Sequence, residues 1–417
     1  FVAHRDHILK QSLHRFRLVL GEPSFGSLWT GGRPREGERH LFASIQGLTA
    51  QGIDSLAPDA FDVLVVDEFH HAAAPTYRRL LDHLRPRVLL GLTATPERTD
   101  GQSVLDWFDG RIAAELRLWH ALDRQLLVPF QYFGVKDEVA LDQLRWTRGH
   151  YDLEALDQLY TGNHERVRLV LRALRRHILH IGGMRAIGFC VSVQHARFMA
   201  EQFRKHGIPA DVVTGDVTGA EREAAISALK ARKVNVLFTV DVLGEGVDIP
   251  EVDTILMLRP TESATVFQQQ LGRGLRLAPG KSCLTVLDFI GMANKSFRFD
   301  LRYASLVPGG RAEIRKMVED EFPYLPSGCT IRLEREAQQV ILENLRTALG
   351  QGLPRLVQEL KAIGPQVGLA EFLRQAELEV EDVYRSSSAP SWTLLRRKAG
   401  FAETPAGLVF RDGDVQA

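Results

Sequence analysis

Three cysteines in 417 residues are too few for a disulfide framework, and Cys190, Cys283 and Cys329 show no C-x-x-C spacing that would build a zinc ribbon. A reducing, cytoplasmic compartment is the expectation. Charge of one sign is missing too, since Lys plus Arg total 52 and Asp plus Glu total 52. The bulk positive excess of many polyanion binders is therefore absent, and any nucleic-acid contact must come from a local patch. No stretch approaches the ~20 apolar residues of a membrane span, and no signal peptide precedes the first element. An initiator methionine is also lacking: the chain opens F-V-A-H, which reads as the end of a buried strand, so the natural N-terminus is expected upstream. Nor does G-x-x-x-x-G-K-[ST] occur anywhere. Gly280, Lys281 and Ser282 are a decoy, because the earlier glycine is Gly274 and a strand follows where a phosphate loop needs a helix.

What is present is ordinary globular material, 45% hydrophobic and 25% charged, enough for about two to three domains. Short apolar runs alternate with amphipathic segments, the rhythm of β-α-β units around parallel sheets. Leu41 onward (L-F-A-S-I-Q), Val63 to Val66 and Val88 to Leu92 read as strands of a first block, with a helix over Pro75 to Leu84. A second block has strands starting at Ala186, Val234, Thr254 and Cys283. Residues 1–134 are then expected to form the first domain, 135–165 an interdomain connection, 166–292 the second domain and 293–417 a mostly helical region.

Four motifs carry chemistry. Asp67, Glu68, Phe69 and His70 follow an all-apolar strand, where an Asp can hold a metal and a Glu can orient water at a Mg-nucleotide; a solvated acidic turn is the plainer reading. Thr93, Ala94, Thr95 and Pro96 end the next strand, with hydroxyls that either bridge to the neighbouring D-E or simply make a turn. Thr239 to Pro250 contains G-E-G-V-D, in which Gly244 and Gly246 let backbone approach a partner and Asp248 offers a carboxylate to a ribose. In F-Q-Q-Q-L-G-R-G-L-R, a helix would set Gln269, Arg273 and Arg276 at i, i+4 and i+7, two guanidinium groups and an amide on one face, suited to a γ-phosphate or equally to solvent.

Taken in order, D-E-x-H, T-A-T, G-E-G-x-D and Q-x-x-G-R-G-x-R resemble the motif series of superfamily 2 helicases of the DEAD/DEAH type. D-E-F-H-H-A-A-A-P-T-Y, L-T-A-T-P-E-R-T-D-G, R-F-D-L-R and L-P-S-G-C are similar to a bacterial subgroup with a restriction-enzyme-type motor, often fused to a phospholipase-D-like nuclease module. The resemblance implies an α/β protein with two RecA-like parallel-sheet domains in tandem, the first incomplete, followed by a mostly helical C-terminal region. It implies ATP and Mg2+ as cofactors and DNA as partner, RNA being the alternative.

By the same resemblance, Asp67 and Glu68 serve Mg2+ and the attacking water, and His70, Thr93 and Thr95 couple hydrolysis to domain movement. Gly246, Asp248, Gln269, Arg273 and Arg276 meet the nucleotide. His4, Arg5, Ser44, Gln46, Ser192, Thr214, Gly215 and Thr239 touch the phosphate backbone. Hydroxyls and amides can grip phosphates without bulk positive charge. The family's phosphate loop falls just before Phe1, which implies either a fragment of a complete motor or a degenerate, non-hydrolysing relative. It also implies a first sheet lacking a central strand, with an open edge.

Overall fold

A computed structural model describes residues 1–29, 39–51, 53–69, 72, 74–93, 104–147, 150–240, 249–261, 263–294, 297–307, 311–350, 356–357, 360–361, 363–364, 367–375, 383–384 and 391–401. In the first α/β unit, β1 (Val2–Ala3) leads to α1 (Asp6–Leu20), β2 (Ser27–Trp29), β3 (Leu41–Ser44), α2 (Ile45–Gln51), β4 (Val63–Val66), α3 (Pro75–His83) and β5 (Val88–Gly91). The strands pair in the order β2-β3-β1-β4-β5, all parallel. A parallel strand is apolar on both faces and needs cover on both. Val2, Ala43, Leu64 and Val66 pack toward Tyr77 and Leu80 of α3, whereas Ala3 and Phe42 pack toward Leu9 and Leu13 of α1. That second cover stops short of the far strands. Val63, Val88, Leu90 and Leu92 stay 40–54% exposed, so β5 is an apolar strand at the sheet edge.

The second unit runs α4 (Leu118–Asp123), β6 (Phe130–Ala140), β7 (Trp146–Thr147), β8 (His150–Tyr151), α5 (Leu153–Tyr160), α6 (His164–His177), β9 (Ala186–Phe189), α7 (Val193–Lys205), β10 (Ala210–Val213), α8 (Gly219–Lys230), β11 (Val236–Thr239), β12 (Thr254–Met257), α9 (Ala264–Gly272) and β13 (Leu284–Met292). It continues through α10 (Phe299–Ala304), α11 (Arg311–Glu319), β14 (Thr330–Leu333) and α12 (Arg335–Gly350). Its seven-stranded sheet has the order β10-β11-β9-β12-β13-β6-β14, again all parallel. Alternate residues of each strand point to opposite faces. Ile187, Phe189, Leu237 and Val286 meet α8 to α12, while Ala186, Phe238 and Leu287 meet α6 and α7.

Two elements depart from the expected division of the chain. β6 spans the end of the expected first domain and the start of the expected connection, yet it is an eleven-residue strand deep in the second sheet. β14 adds a strand to that sheet from within the expected helical region. Otherwise that region is helical among its described residues. α10, α11 and α12 pack on the second sheet, and Leu360, Phe372 and Leu395 centre a separate small core.

Candidate functional site

Parallel strands present all their carboxyl ends on one edge, and ligands of open α/β sheets bind outside that edge. In the first sheet Ala3 lies level with Ser44, Val2 with Val66, and Val66 with Gly91. His4, Ser44, Asp67 and Thr93 therefore leave four neighbouring strands at the same edge. The Asp67 carboxylate is partly buried, and its Oδ1 accepts from the Glu68 amide at 3.0 Å. Burial raises its pKa, and the Glu68 amide and the nearby His4 oppose that rise. Arg5 donates from Nε to His4 Nε2 at 3.1 Å. Ser44 accepts from the Gly47 amide at 3.0 Å and so helps start α2, leaving Gln46 exposed on the first turn.

Glu68 holds φ at 50°, in the left-handed region. That conformation costs an L residue about 1–2 kcal/mol and persists where surrounding structure imposes it, most often at functional sites. Beside it lies a residue that sequence reasoning passed over. Tyr77 of α3 is buried, its hydroxyl has no hydrogen-bond partner among the described residues, and its pKa is pushed up to about 12 by burial, then by Asp67 and Glu68. Nothing in its spacing distinguishes it from a core aromatic. Mg2+ is commonly held by one or two carboxylates with water and substrate phosphates completing the shell, so Asp67 fits such an ion. Among the described residues no group of three or more His, Cys, Asp or Glu could hold a metal alone. His70, Thr95, Gly246 and Asp248 lie outside the described residues.

The expected single face of Gln269, Arg273 and Arg276 needs correction. α9 ends at Gly272; Arg273 is its C-cap residue, and Arg276 lies beyond the helix on an exposed bend. The physical reason is Gly274, where any Cβ would run into the Leu284 side chain at the start of β13, so the chain turns off the helix to pass close by. Gln269 and Arg273 thus remain on or at the end of α9, and Arg276 does not share their stripe. Behind α9, the Arg302 guanidinium sits 4.5 Å from the Phe267 ring centroid and pairs with Asp288, which also accepts from the Tyr132 hydroxyl.

At the second sheet's carboxyl edge, Val213, Thr239 and Phe189 stand in register on β10, β11 and β9. Thr214, Thr239 and Ser192 therefore stand at the same edge, with Gly215 exposed beside Thr214. Their hydroxyls are engaged. Ser192 Oγ donates to Asp157 of α5 and accepts from the His195 amide at 2.9 Å as the N-cap of α7; Thr214 Oγ1 donates to Asp216. Among the described residues, Thr239 Oγ1 makes a 3.4 Å contact with the Val240 carbonyl. Arg197 of α7 reaches Asp216 at 2.5 Å. Asp157, Arg197 and Asp216 escaped the sequence reading because the pairings join elements up to 35 residues apart with no shared periodicity.

Residues 1–98 match the family described as "Type III restriction enzyme, res subunit", and residues 169–278 match the "Helicase conserved C-terminal domain". IRC3 of Saccharomyces cerevisiae, which carries the name of an ATP-dependent helicase, is 28% identical over 261 residues, covering 61% of this chain and 37% of that protein. The type I restriction enzyme EcoAI endonuclease subunit of Escherichia coli is 29% identical over 261 residues, covering 56% of this chain and 32% of that protein. The chain spans about a third to a half of the length of the curated relatives it matches. The ATP-dependent Type ISP restriction-modification enzyme LlaBIII, solved bound to DNA, superposes with a TM-score of 0.51 at 15% identity over 85% of this chain and 28% of that chain, a likeness of fold. The order of the motifs, the two family matches and these relatives together support a likeness to superfamily 2 helicases with a motor of the restriction-enzyme type.

Proposed function

We propose that this chain is the motor region of an ATP-dependent DNA helicase or translocase. The observation that carries the reading is the common carboxyl edge of the first sheet, which gathers Asp67, the strained Glu68 and Thr93 beside His4 and Ser44. In this reading Asp67 orients Mg-ATP, which supplies the phosphoryl chemistry when bound. Glu68 aligns the attacking water, and Thr93 with His70 and Thr95 passes the hydrolysed state on to the second domain. Arg273 and Arg276 bring positive charge toward the γ-phosphate from that domain, with Gly246, Asp248 and Gln269 completing the nucleotide contacts. Ser44, Gln46, Ser192, Thr214, Gly215 and Thr239 track the phosphate backbone through hydroxyls and amides, with His4 and Arg5 at the first edge.

DNA is the favoured substrate because the chain is similar to an endonuclease subunit named for a type I restriction enzyme. A reducing cytoplasm suits its three free thiols, and among the described residues no helix is long and apolar enough to cross a membrane. Because these 417 residues contain no G-x-x-x-x-G-K-[ST], they are expected to hydrolyse ATP poorly by themselves, which also favours a second reading, a non-hydrolysing nucleic-acid clamp on the same scaffold. DNA-stimulated ATP hydrolysis by the product of the complete reading frame decides between them. Loss of turnover with retained DNA binding in Glu68→Gln supports the motor, whereas undiminished turnover in that variant sinks the assigned mechanism. Strand displacement on matched DNA and RNA duplexes tests the choice of substrate.

A further inference from the structure

A serine or threonine hydroxyl has one proton to donate. At the carboxyl edge of the second sheet two such protons are already given to carboxylates, from Ser192 to Asp157 and from Thr214 to Asp216. The arrangement is the same at both places although the acids come from different elements. Asp157 lies in the last turn of α5 and also accepts from Thr161 Oγ1 at 2.8 Å. Asp216 lies in the loop after β10 and also accepts from Arg197 Nη2 at 2.5 Å. Strands β9 and β10 flank β11, so the two hydroxyls stand roughly two strand spacings apart, about 10 Å.

A planar carboxylate and a tetrahedral phosphodiester are both anionic acceptors of hydroxyl and guanidinium hydrogen bonds. We propose that Asp157 and Asp216 occupy the positions of two nucleic-acid phosphates, so that a strand can contact Ser192 and Thr214 only by displacing them, and that Arg197, released from Asp216, becomes a further phosphate ligand. The proposal rests on the nucleic-acid reading of this edge and assigns it a built-in competitor. Displacement is within reach because the Arg197–Asp216 pair is more than half exposed on both sides, the class of ion pair that contributes little by itself. Each acid is also repelled by the incoming phosphate, so binding and release of the acid occur together.

The test is binding of a fluorescein-labelled single strand, DNA and RNA in separate arms, to this chain by anisotropy over a range of salt concentrations. Asp157→Asn and Asp216→Asn remove charge while keeping an amide of the same size, and each should tighten binding about two- to fivefold, the range of an exposed ion pair. Arg197→Ala should weaken binding to all sequences alike and reduce the slope of log affinity against log salt by about one. Glu223→Gln, on the exposed face of α8, removes the same charge at a position with no role here and should leave affinity unchanged. Thermal melts of each variant check folding, and Asp157→Ala provides a second variant should Asp157→Asn lose the α5 to α7 contact. Equal gains in Glu223→Gln and the two Asp variants, or no change in the Asp variants and Arg197→Ala while the chain binds, overturn the masking and leave the nucleic-acid reading intact. No binding by any variant overturns both.

Discussion

Arg166 of α6 and Asp137 of β6 form an ion pair closed off from solvent, with Nε 2.7 Å from Oδ2 and each side chain 3% exposed. The same guanidinium donates to the Leu258 carbonyl at 3.0 Å and lies 4.0 Å from the Tyr160 ring centroid. One side chain thus joins α5 and α6 to β6 and to the end of β12. Removing one partner of such a pair leaves a buried charge without compensation, so Asp137→Ala should cost about 3–5 kcal/mol. Replacing both, as Asp137→Leu with Arg166→Met, should recover most of that loss. Urea unfolding of the two variants measures both quantities.

Glu68 predicts a conflict between stability and activity. Glycine adopts a φ of 50° without the Cβ clash, at some cost in unfolded-state entropy, so Glu68→Gly should stabilise the chain by about 0.5–1 kcal/mol. The same change removes the carboxylate proposed to align water and should abolish DNA-stimulated ATP turnover. A variant that loses stability instead shows that the Glu68 side chain, through contacts of its own, holds the loop.

Gly274 is expected to tolerate no side chain. Gly274→Ala drives a methyl group into the fully buried Leu284, and overpacking of this kind costs about 1–3 kcal/mol or moves the backbone. Movement would be felt at Arg273, the preceding residue, and at Arg276, two residues on. Adding Leu284→Ala should return part of the stability lost, which denaturant midpoints of the single and double variants will show.

How much of this was legible differs from element to element. T-I-L-M and A-I-G-F announce themselves because parallel strands covered on both faces must be apolar throughout, and V-L-V-V is as apolar although Val63 stays exposed. β6 hides because F-Q-Y-F-G-V-K-D-E-V-A carries a Lys and two acids; Asp137 is buried only because Arg166 is there to meet it, and that partner is 29 residues away. β14 hides because T-I-R-L is short and follows a stretch dominated by helices. The D-E pair and its neighbours could be found from order alone, since strand order places them on one edge. The extent of α9 could not, because it is set by the contact between Gly274 and a strand not yet formed in any local pattern. The acids at Ser192 and Thr214 are matters of tertiary placement.

Lys281, the lysine of the decoy G-K-S, has a structural task. Its ammonium donates to the Pro250 and Arg276 carbonyls at 2.9 and 3.0 Å, and burial lowers its pKa to about 8 against the opposing pull of Asp253 and Glu251. An unfolded lysine keeps its proton to about pH 10.4. Between pH 8 and 10 the unfolded chain therefore binds more protons at this site than the folded chain, and stability from this group rises with pH; below pH 8 its contribution is flat and at its least favourable. Unfolding free energies of wild type and Lys281→Met should thus diverge in favour of wild type from pH 8 to 10 and run parallel from pH 6 to 7. Parallel behaviour over the whole range would show that Lys281 titrates as an exposed lysine.

The position of β6 has a consequence for how the protein is made. The Tyr132 hydroxyl waits for Asp288, 156 residues later, and the Lys136 amide for Glu334, 198 residues later. At synthesis rates of ~5–20 residues per second, roughly 8–30 s pass between the emergence of this strand and of its first neighbour. During that interval an eleven-residue, largely apolar ribbon has no sheet to join, while the first α/β unit can already have folded behind it. The ribosome thus delivers the second sheet with its inner strand first and its closure last, which makes β6 the segment that a nascent-chain chaperone is expected to hold.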